Sequence, residues 1–396
     1  MAGGSSAPTA PTRPGAFRYG AFRPPGRHQR LGVLTSDGAV LDLSEMGVEH
    51  ALPWPELLLE PTLDALLAAG PAAWTEVHGW LTERLADPER LAAFQRPVTT
   101  LTTALPFTVA DYVDFFACEQ HAVNAARIFR PDDEQPLTPN WRHHPVGYHG
   151  RAGTVVGSGT DIHRPRGQRG PGDFGPSRML DFEAELGYVL GGSATTMGES
   201  LSLAQAEERV FGVVILNDWS ARDVQFWESR PLGPLLGKAF ATSISAWVTP
   251  MAALAEDRTE PPARDPRPLD YLLGPQDRGL DLQLTVELNG EVIARPPGSG
   301  LYWTPAQLVT HLTSGGATVR AGDLLGSGTL SGPERAQRGC LLELTWHARE
   351  PLTLADGSEL GYLRDGDEVA ITARTPGGIE LGEVRGRILP PAGRSC

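Results

Sequence analysis

Met179-Leu180-Asp181-Phe182-Glu183-Ala184-Glu185-Leu186-Gly187-Tyr188-Val189-Leu190 is the stretch on which the reading of this chain turns. Apolar side chains recur at every second position: Leu180, Phe182, Ala184, Leu186, Tyr188 and Leu190. That is the period of a β-strand with one buried face. The opposite face begins with Asp181, Glu183 and Glu185. Same-face neighbours on a strand are about 7 Å apart, from a rise of roughly 3.4 Å per residue. Three carboxylates at that spacing repel one another unless something cationic stands among them. Two readings stay open here: a solvated acidic face, or oxygen ligands for a hard divalent cation.

The surroundings bound the possibilities. The chain has 396 residues, enough for two or three domains. It is 40% hydrophobic and 21% charged, the balance of a globular protein with a large core. A formal net charge of −14 argues against nucleic acid or an anionic membrane as partner. No run of 18 apolar residues predicts a membrane-spanning helix. Cys118, Cys340 and Cys396 have neither disulfide-framework nor zinc spacing, which fits a reducing cytoplasm. Residues 1–16 are rich in Ala, Gly, Ser, Pro and Thr, without the apolar segment of a signal peptide, and read as a disordered tail.

Along the chain, Arg30–Leu34 and Ala39–Leu43 flank Asp37-Gly38 as a hairpin. Residues 62–69 and 72–85 carry helical spacing. Pro97 to Pro106 reads as a connector, so residues 17–105 form a small N-terminal domain and 106–396 a second one. Asp111 to Arg130 is predicted as a helix, followed by a long Gly/Pro-rich passage. Residues 203–210 read as a short helix and the apolar run Phe211–Leu216 as a strand buried on both faces. From Leu280 onward the pattern is nearly all strand. Asn289-Gly290, Asp365-Gly366-Asp367 and Pro376-Gly377-Gly378 read as hairpin turns, and residues 304–312 as a helical interruption. The sum is a mainly β, mixed α+β architecture with long loops over one end.

Phe211–Leu216 runs into Asn217-Asp218-Trp219-Ser220-Ala221-Arg222-Asp223. Two acids, an amide and an arginine at the exit of a buried strand suit a site. The plainer alternative is Asp218 capping a following helix. Lys238 lies in Gly-Lys-Ala-Phe-Ala-Thr without phosphate-loop spacing, which excludes nucleotide binding of that type. On the predicted helix Asp114 and His121 are about two turns, or about 10 Å, apart on one face. That spacing suits one for a metal and the other for the reacting centre, but a lone histidine on a helix reads more simply as a structural residue.

Several longer motifs in one order carry a resemblance. They are Asp-Tyr-Val-Asp-Phe-Phe (111–116), Asn-Trp-Arg-His-His-Pro-Val-Gly-Tyr-His-Gly-Arg (140–151), Glu-Ala-Glu (183–185) and Asn-Asp-Trp-Ser-Ala-Arg-Asp (217–223). Pro-Leu-Gly-Pro-Leu-Leu-Gly-Lys (231–238), Asp-Leu-Leu-Gly-Ser-Gly-Thr-Leu-Ser-Gly-Pro-Glu (323–334) and Asp-Gly-Asp-Glu-Val (365–369) belong with them. Together they resemble the fumarylacetoacetase, or fumarylacetoacetate hydrolase, family over residues 17 to 392. The resemblance implies an SH3-like N-terminal barrel, a C-terminal mixed β-roll and a homodimer. It implies hydrolysis of a carbon–carbon bond in a small β-diketo acid, within aromatic amino acid catabolism in the cytoplasm.

Carried over by position, the resemblance implies a divalent metal, Mg, Ca or Mn, held by Asp114, Glu183, Glu185 and Asp218. Lys238 and Thr242 match contacts to a second Mg. His121 matches the catalytic base and Glu343 the carboxylate that orients it and the water. Arg222, Gln225 and Lys238 match the groups that meet the oxyanion. Arg130, Tyr148, Gln225 and Thr329 match substrate contacts. Two further substrate contacts are tyrosines in the family and here are Phe116 and Ser229. The loss of two phenols, with the metal and catalytic positions kept, points to a changed acyl pocket or to drift in an ordinary family enzyme. Competing readings are decarboxylation, tautomerisation or hydration through the same enolate, and a non-catalytic assembly protein.

Overall fold

The computed structural model describes Arg13 and residues 15–393. Of the tail expected over residues 1–16, positions 1–12 and 14 lie outside the described residues, as does Cys396. Among the described residues one sheet of thirteen strands dominates. Its path runs Gln95–Pro97, Ala39–Asp42, Arg30–Leu34, Arg18–Arg23, Trp247–Pro250, Val210–Asp218, Ala184–Leu190, Leu324–Gly326, Tyr112–Phe115 and Gly147–His149. A five-stranded sheet, built on Gln283–Leu288, Glu368–Arg374 and Glu380–Leu389, packs beside it. The mainly β, mixed α+β reading is borne out.

The acidic segment departs from its expected form in two ways. It is two strands, Leu180–Asp181 and Ala184–Leu190, with a break at Phe182-Glu183. Neither face is solvated, because every residue of the longer strand is buried. The strand sits between Val210–Asp218 and Leu324–Gly326, so ladder bonds occupy both edges. One face, through Val189, packs with Val214 and Leu216 into a core shared with Phe17, Tyr19 and Leu31. The other, through Leu186, Tyr188 and Leu190, joins the larger core with Val213 and Ile215. The N-terminal segment thus caps one face of the central strands, and its strand Arg18–Arg23 pairs directly with Trp247–Pro250.

The helix expected from Asp111 to Arg130 is corrected. Tyr112–Phe115 is a strand, parallel to Leu324–Gly326 and antiparallel to Gly147–His149. Its aromatic and β-branched residues fit a pleated, doubly buried surface better than a helix interior. The helix begins only at Glu119 and runs to Phe129. Asp114 and His121 therefore do not share a helix face. Asp365-Gly366-Asp367 is a turn feeding Glu368–Arg374, not the bend of a hairpin, because the strand before it pairs with Leu352–Thr353. The expected run of strands after Leu280 is also broken a second time, by the short helix Leu341–Leu344. The hairpins at Asp37-Gly38, Asn289-Gly290 and Pro376-Gly377-Gly378 form as read. Cys118 and Cys340 are buried and free. No described helix is long and apolar enough to cross a membrane.

Candidate functional site

The central strands deliver acids to one place from four directions. Asp114 comes from the strand Tyr112–Phe115, Glu183 from the break before Ala184, Glu185 from the strand after it and Asp218 from the end of Val210–Asp218. One ligand atom from each lies within 4.8 Å of the others, and all four residues are buried. The chain can crowd them because Gly326, in the adjoining strand, has no side chain. A Cβ there would stand 2.9 Å from Asp114 Oδ1 and 3.1 Å from Glu185 Oε2. Gly328, at φ +75°, donates its N–H to Glu185 Oε2 at 3.0 Å. A side chain at Gly328 would strike the Phe115 carbonyl oxygen at 2.2 Å.

Two protein cations touch this cluster. Lys238 Nζ donates to Glu183 Oε2 at 2.5 Å and to Asp218 Oδ2 at 2.7 Å. Arg222 donates through Nη1 to Glu183 Oε1 at 2.6 Å and through Nε to Asp181 Oδ2 at 2.8 Å. Burial would raise the Glu183 carboxyl, but Lys238 and Arg222 overcome it and hold the group well below the usual range. The other acids are not balanced in this way. Burial, then repulsion from Asp218, pushes Asp114 up to about 8. Burial and the neighbouring Asp114 push Glu185 well above its ordinary value. Asp114 Oδ1 and Glu185 Oε1 are buried without a hydrogen-bond partner. Orphaned carboxylate oxygens in an under-neutralised, oxygen-only pocket fit a hard divalent cation.

The remaining acid of the opening segment is spoken for. Asp181 accepts from Leu341 N at 2.7 Å and Leu342 N at 3.0 Å, as well as from Arg222. It therefore caps the short helix Leu341–Leu344 and so places Glu343. Glu343 Oε1 meets His121 Nδ1 at 2.5 Å. A carboxylate acceptor there fixes the imidazole proton on Nδ1 and leaves the Nε2 lone pair free. Burial would raise Glu343, yet His121 and the other donors around it lower it below its usual value.

The sequence reading missed two of those donors. Asn124 Nδ2 donates to Glu343 Oε2 at 2.6 Å and Ser331 Oγ to Glu343 Oε1 at 2.7 Å. Asn124 follows His121 by three residues on the same helix face, a spacing that signals a shared partner. Ser331 lies within the 323–334 motif, twelve residues before Glu343, but nothing in that pattern marks it as a partner of the carboxylate. The thiol of Cys340 also approaches Glu343 Oε1, at 3.4 Å.

The other expected residues are placed as follows. Thr242 Oγ1 donates to Asp218 Oδ1 at 3.0 Å, and Tyr148 Oη to Asp218 Oδ2 at 3.3 Å. Lys238, as a charged ammonium between two acids, has no lone pair to offer a metal through Nζ and acts as a counter-charge. Arg222 Nη1 donates to Gln225 Oε1 at 3.1 Å. Arg222 Nη2 and Thr329 Oγ1 are buried without partners. Phe116 sets its ring edge-on to His121, with centroids 5.2 Å apart. Ser229 turns its hydroxyl back to the Gln225 carbonyl. Arg130 stands at the rim, paired with Asp133 at 3.0 Å. A single cavity of about 820 Å³ is lined by His121, Asp114, Glu183, Arg222, Gln225 and Lys238, and by Phe116, Arg130, Tyr148, Ser229 and Thr329.

Residues 112–389 match the family model for the fumarylacetoacetate hydrolase C-terminal region. The chain belongs to the fumarylacetoacetate hydrolase family. It is 41% identical to fumarylacetoacetase of Bos taurus over 403 residues, covering 94% of each chain. It is 38% identical to fumarylacetoacetase of Arabidopsis thaliana over 400 residues, again covering 94% of each. The fold is similar to that of a fumarylacetoacetate hydrolase from psychrophilic Exiguobacterium antarcticum, with a TM-score of 0.56 and 16% identity, over 94% of this chain and 99% of that one. It is also similar to a maleylpyruvate hydrolase from Sphingobium, with a TM-score of 0.52 and 15% identity, over 94% of this chain and 99% of that one.

Crowded acids make stability depend on pH in a defined direction. Asp114 and Glu185 bind protons more tightly in the folded than in the unfolded chain. The metal-free protein therefore loses stability as pH rises from the ordinary carboxylate range to about 8. Glu183 and Glu343 act oppositely, but below the ordinary carboxylate range. Melting curves of chelator-treated protein are expected to show Tm falling between about pH 5 and pH 8, with a Mg- or Ca-dependent rise that is larger at the higher pH. A metal effect independent of pH would contradict this balance.

Proposed function

We propose that the protein hydrolyses a carbon–carbon bond in a β-diketo acid of the 4-fumarylacetoacetate type, giving fumarate and acetoacetate from that compound. The observation that carries the reading is the convergence of His121, backed by Glu343, with the Asp114–Glu183 edge of the acid cluster and Arg222 in one cavity. Asp114, Glu183, Glu185 and Asp218 would hold the divalent cation, and carboxylate-only donors favour Mg or Ca, with Mn close behind. When bound, such a cation polarises the diketone oxygens as a Lewis acid.

The chain's own residues account for the rest. His121 Nε2 takes a proton from water while Glu343 holds Nδ1–H and balances the imidazolium. The water oxygen joins the acyl carbon. Arg222, Gln225 and Lys238 stand where negative charge develops on the carbonyl oxygen, in a site largely closed to water. Arg222 Nη2 is the group with an unused donor for it. The acyl–carbon bond then breaks, the leaving carbon departs as an enolate, and the imidazolium returns a proton to it. Thr329 and Tyr148 orient substrate oxygens, and Arg130 guards the mouth. No covalent nucleophile enters, in keeping with the absence of a nucleophile-elbow pattern.

Decarboxylation, tautomerisation or hydration would share the enolate step. The buried His121–Glu343 pair, with Nε2 left free to take a proton, favours hydrolysis, because activating water requires it. We further read residues 17–105 as the SH3-like unit and 106–393 as the β-roll, in a cytoplasmic homodimer. Support for the dimer comes from Phe226, Trp227, Leu232, Leu235 and Leu236, large apolar side chains exposed along one short segment.

Incubation with Mg or Ca and fumarylacetoacetate, followed by diketone absorbance, is expected to show loss with stoichiometric fumarate and acetoacetate. Release of carbon dioxide, or a shifted absorbance without cleavage, would favour the other enolate reactions. His121→Ala is expected to keep fold and metal content and to lower kcat by roughly 10²–10⁴-fold. Full residual activity would remove His121 as the base.

The donors around Glu343 supply a separate expectation. Asn124→Ala and Ser331→Ala each remove a hydrogen bond that keeps Glu343 ionised. Each is expected to lower kcat roughly tenfold with little change in KM, and to move the acid limb of the kcat profile upward. An unmoved limb with normal kcat would show that the two residues serve packing alone.

A further inference from the structure

We infer that the cleft between the N-terminal strands and the five-stranded sheet is a second binding site, built for a small carboxylate with a flat apolar body. Its volume is about 570 Å³, within the range of small-ligand sites. None of its lining residues also lines the cavity that holds His121.

Strand register builds the floor. Arg18 and Gly20 are two residues apart on the strand Arg18–Arg23 and share one of its faces. Arg18 stands opposite Leu34, and Gly20 opposite Trp247. A Cβ at Gly20 would lie 2.4 Å from the Trp247 ring, so the missing side chain lets the indole cover this face of the strand. Phe22, Leu34, Val40 and Ala246 pack with Trp247 into a small apolar core of their own. Leu34, Ala246 and Trp247 also line the cleft.

The opposite wall is the outward face of the second sheet. Along Gln283–Leu288, the residues Leu284, Val286 and Leu288 belong to the main core, while Gln283 and Thr285 line the cleft. Thr372, Arg374 and Glu380 continue that polar wall from the neighbouring strands. The period-two pattern here turns its polar side toward another part of the protein.

Arg18 is the group that needs an occupant. It is only 8% exposed, yet it makes no hydrogen bond or ion pair through its side chain with any described residue. Burial pulls its guanidinium below the ordinary value, and Glu380, acting at longer range, offsets this only in part. Its Nη1 lies 3.7 Å from where a Cβ would stand at Gly382, a residue of the cleft wall, so the charge sits at the cleft. The other charges there answer one another. Glu383 is bonded to Arg385 at 2.8 Å, and Arg374 faces Glu380 across the ladder. Arg18 is left over, and a desolvated guanidinium without a partner is costly. A carboxylate matches its two parallel N–H donors. A flat apolar body behind that carboxylate covers Trp247 and Leu34 and leaves water in doing so.

The occupant bridges the N-terminal strands and the second sheet, so binding stabilises the whole chain. The test uses benzoate, acetate and benzamide as probes of the metal-loaded full chain, by calorimetry and by melting curves. Benzoate is expected to bind at least tenfold more tightly than acetate, which lacks the ring, and at least tenfold more tightly than benzamide, which keeps the shape without the charge. It is expected to raise Tm. Arg18→Met keeps the length of the side chain and removes the unpaired charge, so folding is retained. In that variant benzoate is expected to bind at least tenfold more weakly and to leave Tm unmoved, with diketo acid turnover unchanged. Equal benzoate affinity in the wild type and Arg18→Met would place the ligand elsewhere and overturn the proposal. Equal affinity for benzoate and benzamide, or no benzoate binding by the wild type, would overturn it as well, and both results are read without the variant.

Discussion

Four carboxylates share one buried space with two protein cations, and the imbalance shapes the architecture around them. Asp114, Glu183, Glu185 and Asp218 converge within 4.8 Å, while Lys238 and Arg222 reach chiefly Glu183 and Asp218. Taking charges out of water is costly unless they are paired, and this cluster leaves Asp114 Oδ1 and Glu185 Oε1 without partners. The fold tolerates the arrangement because the strands that carry it are fixed on both edges and packed on both faces. Such over-determination allows a protein to hold like charges together for use.

The same strand segment organises the proton-transfer side of the site. Asp181 is excluded from the acid cluster by its bonds to Arg222, Leu341 and Leu342. Those bonds seat the helix that carries Glu343, and Glu343 in turn orients His121. One short run of sequence therefore supplies two acids to the cluster and one acid that positions the base across the cavity. Arg222 joins the halves by binding Asp181 and Glu183 together. A change at Arg222 would disturb both sides of the site, and its effects would not add to those of either neighbour alone.

Much of this was legible in the sequence, and the failures have physical causes. The period-two pattern from Leu180 to Leu190 announced a strand. It could not announce that the acidic face was buried, because alternation looks the same whether the polar side meets water or an inward-facing cluster. Asp111 to Arg130 reads as one helix, on which Asp114 and His121 would fall on one face. The strand at Tyr112–Phe115 is imposed by pairing with Leu324–Gly326, more than two hundred residues away in the chain. Ser331 stood inside the 323–334 motif, but its role was hidden because the helix that turns Glu343 toward it is seated by Asp181, about 160 residues away in the chain. The site residues came from long motifs carried by resemblance, and the geometry places most of them on one cavity, with Glu185, Asp218, Thr242 and Glu343 packed behind its wall. Phe116 and Ser229, where the sequence departs from the family, both line that cavity.

The central claim is that these four acids hold one divalent cation. Anomalous diffraction from crystals soaked in Mn tests it most directly, because the scattering peak locates the ion independently of activity. The account predicts a strong peak among the Asp114, Glu183, Glu185 and Asp218 side chains, lost on competition with excess Mg or Ca. A peak at His121, Cys340 and Glu343 instead, or no peak at the acids in well-ordered crystals, would contradict it.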